Sequence, residues 1–433
     1  MTVTGSRMLI PAVLCTLALS FATPPQLCAV SPPEQEYWQL LSSRYQASSE
    51  NYAEPLLEEL AVFNSLYPRT AHGDSVAWMS GVMQEHQKKQ ELALASYLKL
   101  LYVYPQSPLV APARGRLEAL AGNRRRGITA LFADNELEVL QDHVQRMLGQ
   151  EIETQGGERG YFDFLLLLAD AKVKDLAGYT VAQARHYLYR ADYSWRADRV
   201  CVIIGDMQRV LRKWRSALLA YRTASFAAPM GESVSMALLN AGTVYLRPLK
   251  NYEMSRRTFK EVIEQFPASM DAAHASLMIA EVDLDQEKPE QALIRLEDTA
   301  TRFPFPEIRI EAWEKAAWVY EHRLDDPAQG AVYLEKIVEE FPAQVKTAEV
   351  LIKLGKLRED KLRDPAGAVK AYVLLADLFS GNPLATRYLF RAAELTEGKL
   401  KDKEQAAAIY KRLADNYPET KEGKEASKKI NDN

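Results

Sequence analysis

The chain has 433 residues, 47% of them hydrophobic and 26% charged, the balance of an ordinary globular protein. Only 20 residues are glycine, which excludes a collagen-like or glycine-rich chain, and three cysteines cannot staple a disulfide scaffold. The net charge of −4 gives no basic excess of the kind that nucleic-acid binding requires.

Residues 1–22 read as a secretory signal. Arg7 is their only charge, Met8 to Ala22 is uncharged, and Ser20-Phe21-Ala22 places small residues where a signal peptidase cuts. A small residue precedes neither Cys15 nor Cys28, which argues against a lipid anchor. No later segment is long and apolar enough to span a bilayer. The best, Tyr161 to Ala169, carries Asp163 and reads as a buried helix.

Residues 23–107 hold two helix pairs, a degenerate one over 35–68 and a clearer one over 74–107. The pattern fades over 108–197. Segments 109–121 and 130–152 look helical around the basic turn Arg124-Arg125-Arg126. Gln155 to Gly160 reads as a loop, and Leu165, Leu168, Ala169, Ala184 and Leu188 outline one degenerate pair.

Residues 198–418 are regular. Pro289, Pro327 and Pro365 are 38 apart, and Lys403 falls one further step on. Asp326 and Asp364 precede two of these prolines, as an N-cap before a first-turn proline should. Small and large residues recur at i and i+4, with a proline eight later: Ala217/Tyr221/Pro229, Ser255/Phe259/Pro267 and Ala406/Tyr410/Pro418. Such a pair shares one helix face, and the proline stops the helix. The preceding helix of each pair has its own spacing, as in Leu238/Ala241/Gly242/Tyr245 and Trp313/Ala316/Ala317/Tyr320. The step between copies stretches to 37–38 residues, the extra residues falling between helices. Residues 419–433, rich in lysine, form a polar end.

These three series together resemble the tetratricopeptide repeat, whose signature is W-x2-L-G-x2-Y…A-x3-F…P. Asp198 to Gly231 is the best single copy, with Gly205, Ala217, Tyr221, Ala224 and Pro229 at the family spacing. The resemblance implies an all-α, right-handed superhelical solenoid of antiparallel helix pairs, with 34–38-residue repeats.

Motifs for catalysis, metal or cofactor binding do not occur, so no enzyme, metal or cofactor is expected. The histidines, His72, His86, His143, His186, His274 and His322, lack metal-ligand spacing. Asp283, Asp285 and Glu287 read as a solvated turn, and Cys201 as a small core residue.

The resemblance places the first helix of each pair along a concave groove. Its lining here is Trp78, Arg209, Leu239, Arg247, Glu311, Glu314, Trp318, Glu321, Glu349, Phe390 and Glu394. Counted this way the late groove is acidic with aromatic anchors, fitting a protein or peptide partner that carries Lys or Arg. The family's chaperone-tail clamp is not carried over, because Leu277, Glu281, Glu314 and Trp318 stand where its Lys and Asn would be. The expectation is an exported scaffold for protein–protein interaction, periplasmic or outer-membrane-associated in a Gram-negative bacterium, serving envelope assembly or maintenance. The alternative is a component of polysaccharide export or processing that binds glycan.

Overall fold

The computed structural model describes residues 33–47, 52–122, 143–146, 148–149, 154–190 and 196–431. The signal segment, Cys28 and the turn Arg124-Arg125-Arg126 lie outside them. The described residues are all-α, without a strand. They divide into two compact units that meet in sequence at Leu120 and Ala121.

The first unit holds α1 (Glu34–Ala47), α2 (Ala53–Leu66), α3 (Gly73–His86) and α4 (Gln90–Val103), with α5 (Val110–Gly122) running across its end. Helices α1 to α4 pack each on the next. Leu41, Leu60 and Phe63 are fully buried among them.

The second unit is a stack of helix pairs: α6 (Gly157–Ala171) with α7 (Lys174–Arg190), α8 (Ala197–Val210) with α9 (Trp214–Ala227), α10 (Val234–Leu246) with α11 (Tyr252–Gln265), and α12 (Met270–Asp285) with α13 (Pro289–Arg302). Then follow α14 (Pro306–His322) with α15 (Pro327–Glu340), α16 (Val345–Lys356) with α17 (Pro365–Leu378), α18 (Ala385–Leu395) with α19 (Lys403–Asn416), and a last helix, α20 (Lys421–Asn431). Every helix packs on its successor. First helices also approach the first helices of neighbouring pairs, α8 on α10, α10 on α12 and α12 on α14. That makes the unit a solenoid with the first helices inside. Its core is a strip of buried residues running from Val234 to Ala426.

One packing device explains the small-residue spacing. A Cβ added at Gly205 would lie 2.3 Å from the Tyr221 ring, and one at Gly242 would lie 2.4 Å from the Phe259 ring. Gly81 with Tyr97 and Gly355 with Tyr372 repeat this. The aromatic ring of the second helix fills the space a side chain would take on the first. Where the first helix carries Ala280 or Ala317 instead, the second carries the slimmer Leu296 or Leu334, all four buried. Interiors are packed densely enough for one methyl group to be felt.

The period is set by two steps. From α9 onward the step from a second-helix small residue to the next first-helix small residue is 25, as from Ala217 to Gly242 and from Ala368 to Ala393. Within a pair it is 12 or 13. The short turns put Arg212 and Glu287 in the left-handed region. The next N–H, of Lys213 or Lys288, then donates to the carbonyl five residues back, at 2.8 and 2.9 Å. The long turns put Lys250, Asp325, Arg363 and Lys401 there. Their following N–H groups reach six residues back, Asn251 to Tyr245 and Asp326 to Tyr320, both at 2.8 Å. Each long turn ends on a side chain that caps the next helix: Asn251, Asp326, Asp364 and Asp402 accept from Met254, Gln329, Gly367 and Gln405. A lysine ends each short turn and caps nothing with its side chain. The stretching expected between helices therefore arises partly inside the pairs.

Two expectations fail. Gln155 to Gly160 is not all loop: Gly156, at φ +69°, turns the chain and α6 begins at Gly157. The Gly160 N–H closes the first turn on the Gly156 carbonyl at 2.9 Å. Asp283 is not solvated. It is 1% exposed, with Arg256 of α11 at 2.7 Å and Arg295 of α13 at 3.2 Å. A single carboxylate on a first helix thus ties the second helices on either side of it.

Candidate partner-binding groove

The first helices α10 to α18 bring most of the expected groove residues onto one surface. Their charges come from both signs. Arg247, just after α10, pairs with Glu281 of α12, and Lys315 of α14 reaches the same carboxylate at 2.6 Å. Lys315 also lies 3.6 Å from Glu311. Glu314 of α14 accepts from Lys353 of α16 at 2.5 Å, with Lys346 at 3.9 Å. Glu359, in the π-turn that extends α16 (Leu357–Lys361), binds Arg391 of α18 at 2.5 Å, and Arg391 also holds Glu394 at 2.9 Å.

The result is a ladder across successive first helices, and it corrects the expected acidic groove. Glu281 and Glu314 retain only 14% and 13% side-chain exposure and are neutralised by the next helix. Five cations, Arg247, Lys315, Lys346, Lys353 and Arg391, stand among the carboxylates. Four of these, Lys315, Lys346, Lys353 and Arg391, lie outside the expected groove lining, though each stands 32 to 39 residues from a glutamate it meets. Exposed pairs of this kind contribute about 0–1 kcal/mol each, so the ladder sets the surface charge and helix register more than the stability. The charged forms are held firmly. Hydrogen bonding to Glu349 raises the pKa of Lys346, and Lys346 in turn lowers that of Glu349. The hydrogen bonds that Arg391 donates to Glu359 and Glu394 raise its own pKa.

Between α14 and α16 the surface sinks into a depression of about 580 Å³. Its walls carry Glu311, Glu314 and Lys315 on one side and Lys346 and Lys353 on the other, with Ile310 and Trp318 as the apolar part. Trp318 is 43% exposed, not a core residue. Its ring stacks on His322 at 5.1 Å, and the Arg323 guanidinium lies 5.5 Å from its centroid.

The remaining expected residues are spread along the same helices or elsewhere. Arg209 lies 3.7 Å from Asp206, whose carboxyl burial pushes up and which accepts from Tyr221 at 2.6 Å. Leu239 is half-buried against the core, and Phe390 packs edge-on against Tyr410 at 5.5 Å. Glu321 is 3.8 Å from His322, and Glu349 is exposed beside Lys346 at 2.7 Å. Trp78 belongs to the first unit, half-buried with its ring 5.6 Å from Tyr97.

Among the described residues no group of three or more His, Cys, Asp or Glu could hold a metal ion. None of the described helices is long and apolar enough to cross a membrane. Cys201 is a buried thiol, pushed up to about 11 by its burial.

Residues 236–269, 311–343 and 387–420 match the tetratricopeptide repeat model. No curated protein matches the chain. Among solved structures, the pilF protein of Pseudomonas aeruginosa is 20% identical, with a TM-score of 0.34, over 54% of this chain and 98% of that one. The C-terminal part of a TPR repeat-containing protein from Cytophaga hutchinsonii is 11% identical, with a TM-score of 0.41, over 61% and 98%. Human IFIT1 is 16% identical, with a TM-score of 0.41, over 84% and 87%. With three of its helix pairs matched and the same glycine–aromatic or alanine–leucine packing recurring in the pairs that begin with α8, α12 and α16, the chain carries tetratricopeptide repeats.

Proposed function

We propose that the chain is an exported scaffold that holds a partner protein through the inner helices of its second unit, in the assembly or maintenance of a cell envelope. The repeat itself supports protein–protein interaction as the general role. The depression between α14 and α16 is the observation that carries the finer reading. It pairs a partly open indole and Ile310 with carboxylates and lysines on facing walls. Such a surface suits an extended segment with one apolar anchor and charges of both signs, rather than a purely basic one, because Glu281 and Glu314 already hold cations. A glycan is the weaker reading. Trp318 already stacks on His322 and receives Arg323, which leaves less of its ring for a sugar.

Capture from the native envelope with the full chain and its Trp318→Ala variant tests the groove. We expect the variant to lose at least about tenfold of the partner, as buried aromatic anchors do. Equal capture would remove the groove from the account. Export rests on the pattern of residues 1–22 and is tested separately, by fractionation and N-terminal sequencing of the mature chain. Recovery of an uncut chain in the cytosol would contradict it.

A further inference from the structure

The outward face of α9 is unlike that of the second helices that follow it. Between Asp206 and Glu232 the sequence has no carboxylate and five cations, Arg209, Arg212, Lys213, Arg215 and Arg222. In a chain with more acidic than basic residues, this is a local reversal of charge. Arg209 faces Asp206, and Arg222 pairs with Glu261 of α11 at 2.8 Å. Arg212, Lys213 and Arg215 are exposed and enter no ion pair among the described residues.

Beside them stand three apolar side chains that nothing covers. Leu219 is 71% exposed, Phe226 78% and Met230 89%. Arg215, Leu219 and Phe226 are four and seven residues apart, so they share one helix face. At 1.5 Å per residue, Leu219 and Phe226 are about 10 Å apart along that face. The opposite face, with Ala217, Tyr221 and Ala224, is buried in the solenoid. Helix α9 is therefore apolar on both sides, inward into the core and outward into solvent, with unpaired cations at its start.

We propose that this face docks on an anionic lipid surface, with Leu219, Phe226 and Met230 entering the headgroup boundary and Arg212, Lys213 and Arg215 meeting the lipid phosphates. Two features favour a lipid surface over a protein. The apolar side chains project almost wholly from the molecule and so form no wall of a pocket for a complementary side chain. The cations are arginines and a lysine next to protruding hydrophobes, the composition of helices that lie in a membrane interface. Each cation near an anionic surface strengthens binding about fivefold, so the three act together with the apolar insertion. Docking through α9 leaves the inner helices free for a partner.

The test uses the full chain with vesicles of equal parts phosphatidylglycerol and phosphatidylcholine, and with vesicles of phosphatidylcholine alone. Phe226→benzoylphenylalanine reports contact at this face itself, whatever residues 1–22 do. Lipid crosslinks at position 226 are expected with the anionic vesicles and at least about tenfold fewer with the neutral ones. Adding Arg212→Glu, Lys213→Glu and Arg215→Glu to that chain should bring the anionic signal down to the neutral level. All of these positions are exposed, so circular dichroism should show the fold intact. Crosslinks that are absent, equal on the two vesicles or unaffected by charge reversal would overturn the proposal. So would capture of an acidic peptide at position 226 without lipid crosslinks.

Discussion

Helices α8 to α11 and α12 to α15 follow the same path but are packed by different means. In the first region Gly205 and Gly242 receive the rings of Tyr221 and Phe259. In the second, Ala280 and Ala317 face Leu296 and Leu334. The first region has no counterpart to Asp283, whose buried carboxylate bridges Arg256 and Arg295. The outward faces differ too. Phe226 and Leu219 stand on α9, whereas the exposed positions of α13 are mostly polar, Glu290, Gln291 and Asp298 around Ile294. In these two regions the volume shared by the two positions is kept while the residue at each one changes. Whatever is not held by that volume is left to vary, including the charges of the inner surface and the chemistry of the outer one.

The largest effect should come from the second region's buried charge. Asp283→Ala leaves two arginines facing each other beneath the surface. It should lower stability by about 3 kcal/mol, at the low end for a buried pair because both arginines keep some contact with water. Urea unfolding measures this, and a change within error would show that the bridge is idle. Gly242→Ala should cost about 1–3 kcal/mol by overpacking against Phe259. Combining it with Phe259→Leu converts the first region's solution into the second's and should recover part of the loss. If the double variant is worse than the sum of the single ones, the shared-volume account is wrong. Asp326→Ala removes the cap of a long turn and should cost about 1 kcal/mol by the same assay. The corresponding change at Lys288, in a short turn, should cost less.

The smallest effect at neutral pH becomes visible in alkali. Burial, reinforced by the Asp206 carboxylate, raises the pKa of Tyr221 well above its usual 10.0, and Tyr97, Tyr372 and Tyr410 are raised in the same way. Tyr37 is pushed up to about 12. A raised folded value means that these groups stabilise the fold fully below pH 10 and that the contribution is lost progressively as pH climbs above it, with Tyr37 the first to go. Helicity should therefore fall in that range. Tyr221→Phe should flatten the part of that loss that comes from α8 and α9.

Much of the fold was legible because it lies in sequence-local patterns. Pro327 after Asp326, the glycine–aromatic spacing of Gly205 and Tyr221, and the stop at Pro229 are each set by neighbours within one helix pair. The groove was legible only in part. Trp318, Glu311 and Glu314 come together as expected, but their charge was misread. Lys315 and Lys353 neutralise glutamates one whole repeat away, and that register is visible only once the helices are stacked. Asp283 was misread for the same reason, since its two arginines come from the helix before and the helix after.

The central claim is that the inner helices of the second unit hold a partner between α14 and α16. The lysines there allow a direct measurement: amine-reactive crosslinking of the full chain in its native envelope, with the crosslinked peptides identified by mass spectrometry. The account predicts partner crosslinks concentrated at Lys315, Lys346 and Lys353, and their loss in the Trp318→Ala variant. Partner crosslinks confined to outward lysines such as Lys260 or Lys370, with these three unmodified by any partner, would contradict it.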